Sequence, residues 1–256
     1  MGVRPLNRRS GASSEDHTPR AVQERLSQPL TQSHLRDFIY GGIDGTVTTF
    51  AVVAGVAGAQ LSATIVIILG VANLIADGFS MAVSNFLATH TMMQERALAR
   101  RQEEEEIRSV PEGEREEIRQ IFSSKGFSGS DLDRVVDVIT EDPRVWVDTM
   151  MVEELGYGQA GEQLLRAAVT TFVSFVVIGF LPLFAFIYEA LFPAAVDSPF
   201  FWSALMTSAG FFVVGALKSR FVAQRWWLAG AETLVMGGTA AVLAYAVGAF
   251  LKSLVG

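Results

Sequence analysis

The chain has no cysteine among its 256 residues, which removes disulfides and thiolate metal centres without assigning a compartment. Histidine is almost as scarce. The three present, His17, His34 and His90, do not supply a multi-histidine zinc or copper site, although a single histidine ligand stays open. A glycine-rich phosphate loop, a nucleophile with a histidine partner and any cofactor signature are also missing, which argues against an enzyme. Charge is absent over long stretches: from Phe38 to Phe86 the only ionisable side chains are Tyr40, Asp44 and Asp77.

What is present is apolar. Half of the residues are hydrophobic and the mean hydropathy is +0.34, unusual for a water-soluble domain. Besides the first block, apolar runs cover Ala167 to Phe192, Phe200 to Leu217 and Trp226 to Leu251. Hydrocarbon about 30 Å thick needs about 20 helical residues, so the first block, interrupted near Ala59 to Ser62, holds two spans and the chain five. Open strands cannot satisfy their backbone in lipid, so the expected fold is all-α: a polytopic membrane protein with transmembrane helices over 35–93 and 163–256 and a helical insert, 94–162, between helices two and three. Residues 1–34 read as a disordered polar arm and not as a signal peptide. Arginine and lysine gather in the arm, in the insert and at Lys218, Arg220 and Arg225, whereas the connections near Gln60 and from Leu191 to Pro199 have none. The positive-inside rule then places the N-terminus and the insert in the cytoplasm and the C-terminus on the opposite side.

The insert is acidic. It holds 18 acidic residues against 9 basic ones, more negative than the whole chain's net charge of −7. It reads as a continuation of the second span through "QERALARRQEEEEIRS", a restart at Pro111, a helix capped by Ser130, and a last helix opened by Asp142 and Pro143 and stopped near Gly156. Glu103 and Glu106 are three residues apart, as are Glu114 and Glu117, so each pair shares a helix face at chelating distance. Met150 and Met151 precede Glu154 by four and three residues, which brings thioether and carboxylate to one side of a helix. Calcium and magnesium want oxygen alone, whereas this mixture suits ferrous iron or manganese. The same spacing also describes a solvated acidic face, with Arg100, Arg101, Arg108, Arg115 and Arg119 available to pair along it, and methionines that only pack.

The spans carry their own polar line. Asn73, Asp77 and Met81 fall at i, i+4 and i+8, extended by Asn85, and the first span offers Asp44 and Thr48 one turn apart, with Gly41, Gly42 and Gly45 permitting close approach. An ionised Asp deep in a spanning helix is disfavoured by roughly 2.5 to 3.5 kcal/mol, so these faces should meet each other or a hydrated cation path; interhelical hydrogen bonding alone is the competing reading. Pro182 is either an ordinary membrane-helix proline or a hinge. Glu232 pairs with Lys218 or Arg225 or relays protons, and Glu189 should reach the outer interface.

Taken in order, "DFIYGGIDGTVTTFAVVAG", "DGFSMAVSNFLA", "DPRVWVDTMMVEELG", "GFLPL" and "ETLVMGGTAAVLAY" make the chain resemble the vacuolar iron transporter family over about Leu35 to Leu254. The resemblance implies a homodimer of five-helix protomers in a bilayer, exporting ferrous iron, with manganese or broad divalent cation export as the alternative, in exchange for protons along a path between subunits. It implies no resident cofactor and no nucleic-acid partner. It also implies a membrane site at Asp44 and Met81 and a cytoplasmic metal-binding site at Glu103, Glu106, Glu114, Glu117, Met150, Met151 and Glu154. Members typically carry glutamate where this chain has Asn73, in a pattern like "AEIAAG" that here reads "ANLIAD"; Asp77, one turn on, is the expected replacement. A membrane-tethered metal sensor would need the insert but no polar stripe in the spans. Plasma membrane and vacuole-like organelle are not distinguished.

Overall fold

The computed structural model describes residues 18–27, 34–158, 163–193 and 196–255. His17, most of the expected arm and residues 159–162 at the end of the insert therefore lie outside the described residues. All regular structure among the described residues is helical, and it divides into two compact units.

Unit one comprises the described residues of the arm and 88–162. Within the arm, expected to lack structure, Pro19–Ser27 forms α1. Its proline falls where the first helical N–H has no partner anyway, Thr18 Oγ1 accepts from the Ala21 N–H at 3.3 Å, and "AVQERL" is rich in helix formers. The insert uses the last turns of α3 (Ala63–Ser109), then α4 (Pro111–Ser124), α5 (Gly129–Glu141) and α6 (Pro143–Glu153). Pro111 opens α4 as expected, and the Asp142 side chain caps α6 by accepting from the Arg144 N–H at 2.8 Å. The expected Ser130 cap of α5 is corrected: the helix begins two residues earlier, with Ser128 at its cap position. Gly129 takes φ +56° there, a value that costs glycine little. Gly156, at φ +70°, follows the end of α6. Ile118, Val136, Ile139, Trp146 and Met150 form the core that joins α4, α5 and α6.

Unit two comprises 33–87 and 163–256. Its elements are α2 (Leu35–Gly58), the first part of α3, α7 (Leu164–Gly179), α8 (Leu181–Leu191), α9 (Pro199–Lys218) and α10 (Trp226–Val255). Helix α2 is the central post, with eleven buried residues from Ile39 to Gly58. Backbones meet where side chains are missing: a Cβ on Gly45 would strike the Phe175 carbonyl oxygen of α7, and one on Gly248 of α10 would strike that of Gly55. Phe50, Val53, Leu74, Phe175, Leu183 and Phe211 fill the core around it. Ile68, Phe79, Val177, Val213, Val235 and Val242 point outward, an exterior that suits acyl chains and not water.

Among the described residues, four helices, α2, α3, α9 and α10, are long and apolar enough to cross a membrane, and α7 with α8 makes a fifth span if the pair counts as one. The pair bends by 51° beside Pro182, which lacks an N–H to continue α7. Ser203 of α9 donates to the Pro182 carbonyl at 2.6 Å, tying α9 to the break.

Candidate functional site

In unit one, the insert gathers carboxylates. Glu103 on α3 and Glu114 on α4 are only 3 % and 7 % exposed, and one oxygen from each of Glu103, Glu106 and Glu114 lies within 4.8 Å of the others. Helix spacing explains half of this: Glu103 and Glu106 stack one turn apart, as Glu114 and Glu117 do, and α4 turns its Ile118 into the core one turn beyond Glu114.

Burial without a cation has an electrostatic consequence. Burial first, then Glu114, then Glu154 and Glu106 push the Glu103 carboxyl up to about 8. Glu114 is also raised, by burial and then by Glu117 and Glu106, although the hydrogen bond it accepts from Glu103 pulls the other way. Glu154 is raised by burial, by Glu117, Glu114 and Glu106, and by a hydrogen bond with Glu117. Glu103 Oε1 and Glu114 Oε2 are buried with no hydrogen-bond partner among the described residues. A divalent cation would satisfy these oxygens and reverse the mutual repulsion.

The arginines do not neutralise the cluster. Arg100 pairs with Asp148 at 2.6 Å and Glu104 at 3.4 Å, Arg108 with Glu105 at 3.3 Å, Arg119 with Asp133 at 2.6 Å and Glu116 at 3.7 Å. Arg115 pairs with Asp137 and Lys125 with Glu153. Among the described residues, none of these ion pairs reaches Glu103, Glu106, Glu114, Glu117 or Glu154. Met150 and Met151 are buried, and Met150 packs with Ile118 and Trp146.

In unit two, Asp44 lies on an exposed edge of α2, and Asn73, Asp77, Met81 and Asn85 form a half-buried line on α3. Asp77 lies near enough for its charge to act on Asp44. The Thr48 hydroxyl donates to the Asp44 carbonyl at 2.9 Å, Met81 packs against the core, and Asn73 Nδ2 is buried without a partner among the described residues. Asn85 Nδ2 donates to Thr171 Oγ1 at 2.8 Å and to Asp37 Oδ1 at 3.4 Å. Asp37 joins the line although the sequence reading passed over it; its place seven residues before Asp44 was the available signal. Lys218 Nζ pairs with Glu232 at 3.0 Å, with Gln224 also reaching that carboxylate. Glu189 accepts from the Val196 N–H at 2.9 Å.

The VIT family signature matches residues 35–249. The chain is similar to the vacuolar iron transporter of Toxoplasma gondii, 33 % identical over 88 % of this chain and 77 % of the relative. It is 30 % identical to that of Plasmodium berghei, over 88 % and 84 %, and 31 % identical to vacuolar iron transporter 1 of Arabidopsis thaliana, over 91 % and 96 %.

Proposed function

The chain belongs to the VIT family, and from that premise we propose that it carries ferrous iron across a membrane, out of the cytoplasm and in exchange for protons. The observation that carries the reading is the pair Asp44, exposed on α2, and Asp77, half-buried on α3 with its charge acting on Asp44, in a stretch from Phe38 to Phe86 that holds no lysine, arginine or histidine. Two carboxylates in lipid without a basic partner call for a mobile cation.

Asp44 is exposed on the single protomer. A second copy against this edge would exclude acyl chains and enclose a wet path, so the working unit is a homodimer, with Asp44, Thr48, Asn73, Asp77 and Met81 along the seam. Asp77 supplies the carboxylate that the family pattern leads one to expect at the Asn73 position. Residues 94–162 form the cytoplasmic metal-binding domain, where Glu103, Glu106, Glu114, Glu117 and Glu154 concentrate the ion and Met150 and Met151 offer thioethers. With α7 and α8 as one span, the N-terminus is cytoplasmic and the C-terminus lies on the far side. Lys218 with Glu232 is a structural ion pair on this reading, outside the proton route. Proton and metal compete for the same carboxylate oxygens, so the arrival of one releases the other. Oxygen with thioether suits manganese next after ferrous iron.

Purified protein in liposomes, assayed with ferrous, manganese, zinc and calcium ions with and without a pH gradient, tests this. Ferrous or manganese uptake should follow the gradient and vanish in Asp44→Ala. Gradient-independent uptake removes the exchange, and normal uptake by Asp44→Ala removes the membrane site.

A further inference from the structure

The turn between α9 and α10 carries positive charge that no carboxylate answers. Arg220 and Arg225 are exposed, and among the described residues neither stands in an ion pair. Glu232, the only acid on α9 or α10, is already taken by Lys218 at 3.0 Å and Gln224 at 3.5 Å. The turn is also fixed in place. Ser219 Oγ donates to the Ala216 carbonyl at 2.7 Å, and the Arg220 N–H donates to that of Leu217 at 3.0 Å. Phe221 packs on Tyr40 of α2 with ring centroids 6.2 Å apart, and Trp226 meets Phe212 edge-on at 6.0 Å.

Apolar surface adjoins the charge. Val222, Trp226, Trp227 and Leu228 are exposed, and from Leu228 one face of α10 continues outward through Val235 and Val242 at seven-residue steps. Whatever covers the turn must answer both features. A soluble acidic protein matches the arginines but not a face that runs on into a span. A second copy laid over the turn by two-fold symmetry sets arginine against arginine. An anionic phospholipid fits throughout. It has phosphate for the guanidinium groups, acyl chains for Leu228, Val235 and Val242, and a headgroup layer that favours the indoles of Trp226 and Trp227.

We propose that the α9–α10 turn binds anionic phospholipid, with Arg220 and Arg225 holding the headgroup and α10 the chains. A zwitterionic lipid also offers phosphate, but its choline returns positive charge to a turn that already has a surplus, so the net negative headgroup is selected. The site lies close to the ion path. Tyr40, on which Phe221 rests, is one turn before Asp44 on α2, and Arg36 lies over the same ring at 5.7 Å. Bare arginines here repel a divalent cation bound for Asp44, and a bound headgroup cancels that charge. This consequence rests on the transport reading above; the lipid site does not.

Lipids with brominated acyl chains quench nearby tryptophan, which makes the test direct. The full-length protein carries four tryptophans. Trp146 lies in the core of the insert, and a Trp202→Phe background leaves Trp226 and Trp227 as the reporters in the bilayer. Vesicles of phosphatidylcholine holding increasing brominated phosphatidylglycerol, and the reverse mixture, give the relative binding constant. The anionic lipid should be preferred by about fivefold per arginine, equivalent to about 1 kcal/mol each. The parent should therefore show about 25-fold, Arg220→Gln or Arg225→Gln about fivefold, and the double glutamine variant near parity, while Arg220→Lys/Arg225→Lys keeps most of the preference. Raising salt from about 0.05 to about 0.5 M should shrink it in the parent. Equal quenching by the two lipids, a preference untouched by salt, or one that survives in the double glutamine variant overturns the proposal. The titration contains no metal, so it is decided apart from transport. Manganese uptake in phosphatidylcholine vesicles tests the consequence: the double glutamine variant should half-saturate at least about twofold below the parent. Equal half-saturation removes the effect on ion entry, and no uptake by either protein removes the transport reading instead.

Discussion

Acidification should weaken metal binding at the insert along a slope set by one buried carboxyl. Glu103 is pushed up to about 8, first by burial and then by Glu114, so at pH 7 it holds its proton by about ten to one. A metal ion binds the deprotonated carboxylate and must displace that proton. Between pH 8 and pH 6 the apparent dissociation constant should therefore rise about tenfold per unit, about 2.7 kcal/mol in all. Above pH 8 it levels off. Glu114 and Glu154, both raised, steepen the acid end. The sign for the metal-free insert follows from the same shift. The folded chain keeps a proton that the unfolded chain, with an ordinary value of 4.5, has already lost, so stability is greatest below that value and falls as pH rises toward 8. Free manganese can be followed by electron paramagnetic resonance as full-length protein is titrated, the insert's share being the difference from a Glu103→Gln/Glu114→Gln variant. Calorimetry in buffers of different ionisation heat should count about one proton released per ion at pH 7. An affinity flat from pH 6 to 8 with no proton released would refute the reasoning, because it would mean that Glu103 is already ionised in the folded insert.

Glu103→Gln alone should slow hydrogen exchange in α4 and α6 of the metal-free protein at pH 8, by an amount equivalent to about 2 to 4 kcal/mol, while lowering metal affinity; faster exchange contradicts the account. Gly45→Ala drives a methyl into the Phe175 carbonyl and should cost about 1 to 3 kcal/mol, seen as a lower thermal midpoint in detergent. Gly238→Ala, with open space around it, should leave the midpoint unchanged or higher. Met150→Leu keeps the volume of the core and should cost under about 1.5 kcal/mol. A drop in manganese affinity at intact stability would assign its sulfur a ligand role, and an unchanged affinity would leave Met150 as packing.

Features set by a few adjacent residues were legible in the sequence. Pro111 and the Asp142–Pro143 pair announce α4 and α6 because a locked φ and a side-chain cap act locally, and the break at Pro182 follows from its missing N–H. Ser128 and Ser130 are equivalent to a local rule, and what separates them is that Gly129 takes φ +56°. Helix spacing marked Glu103 with Glu106 and Glu114 with Glu117, and it placed Asp77 and Met81 on one face. It could not say that Asn85 would reach Asp37 and Thr171 on two other helices, since tertiary packing alone decides that.

Partner choice was the larger gap, and it is where acidic composition becomes a site. Eighteen acids against nine bases fit a solvated helix face and a metal cage equally well. The arginines separate the two. Arg115 and Arg119 cross to Asp137 and Asp133 on α5, Arg100 crosses to Asp148 on α6, and the glutamates that Arg100, Arg108 and Arg119 reach one turn away, Glu104, Glu105 and Glu116, all lie outside the cluster. Those acids are exposed, so the pairs they form contribute only about 0 to 1 kcal/mol each. The carboxylates left without a base include the two most buried in the insert, Glu103 and Glu114, where a charge partner would be worth most. A chain folding only for stability would place its arginines the other way round. Leaving the strongest electrostatic positions empty of side-chain cations makes sense if a cation from solution is to occupy them and leave again, which a tethered guanidinium could not do.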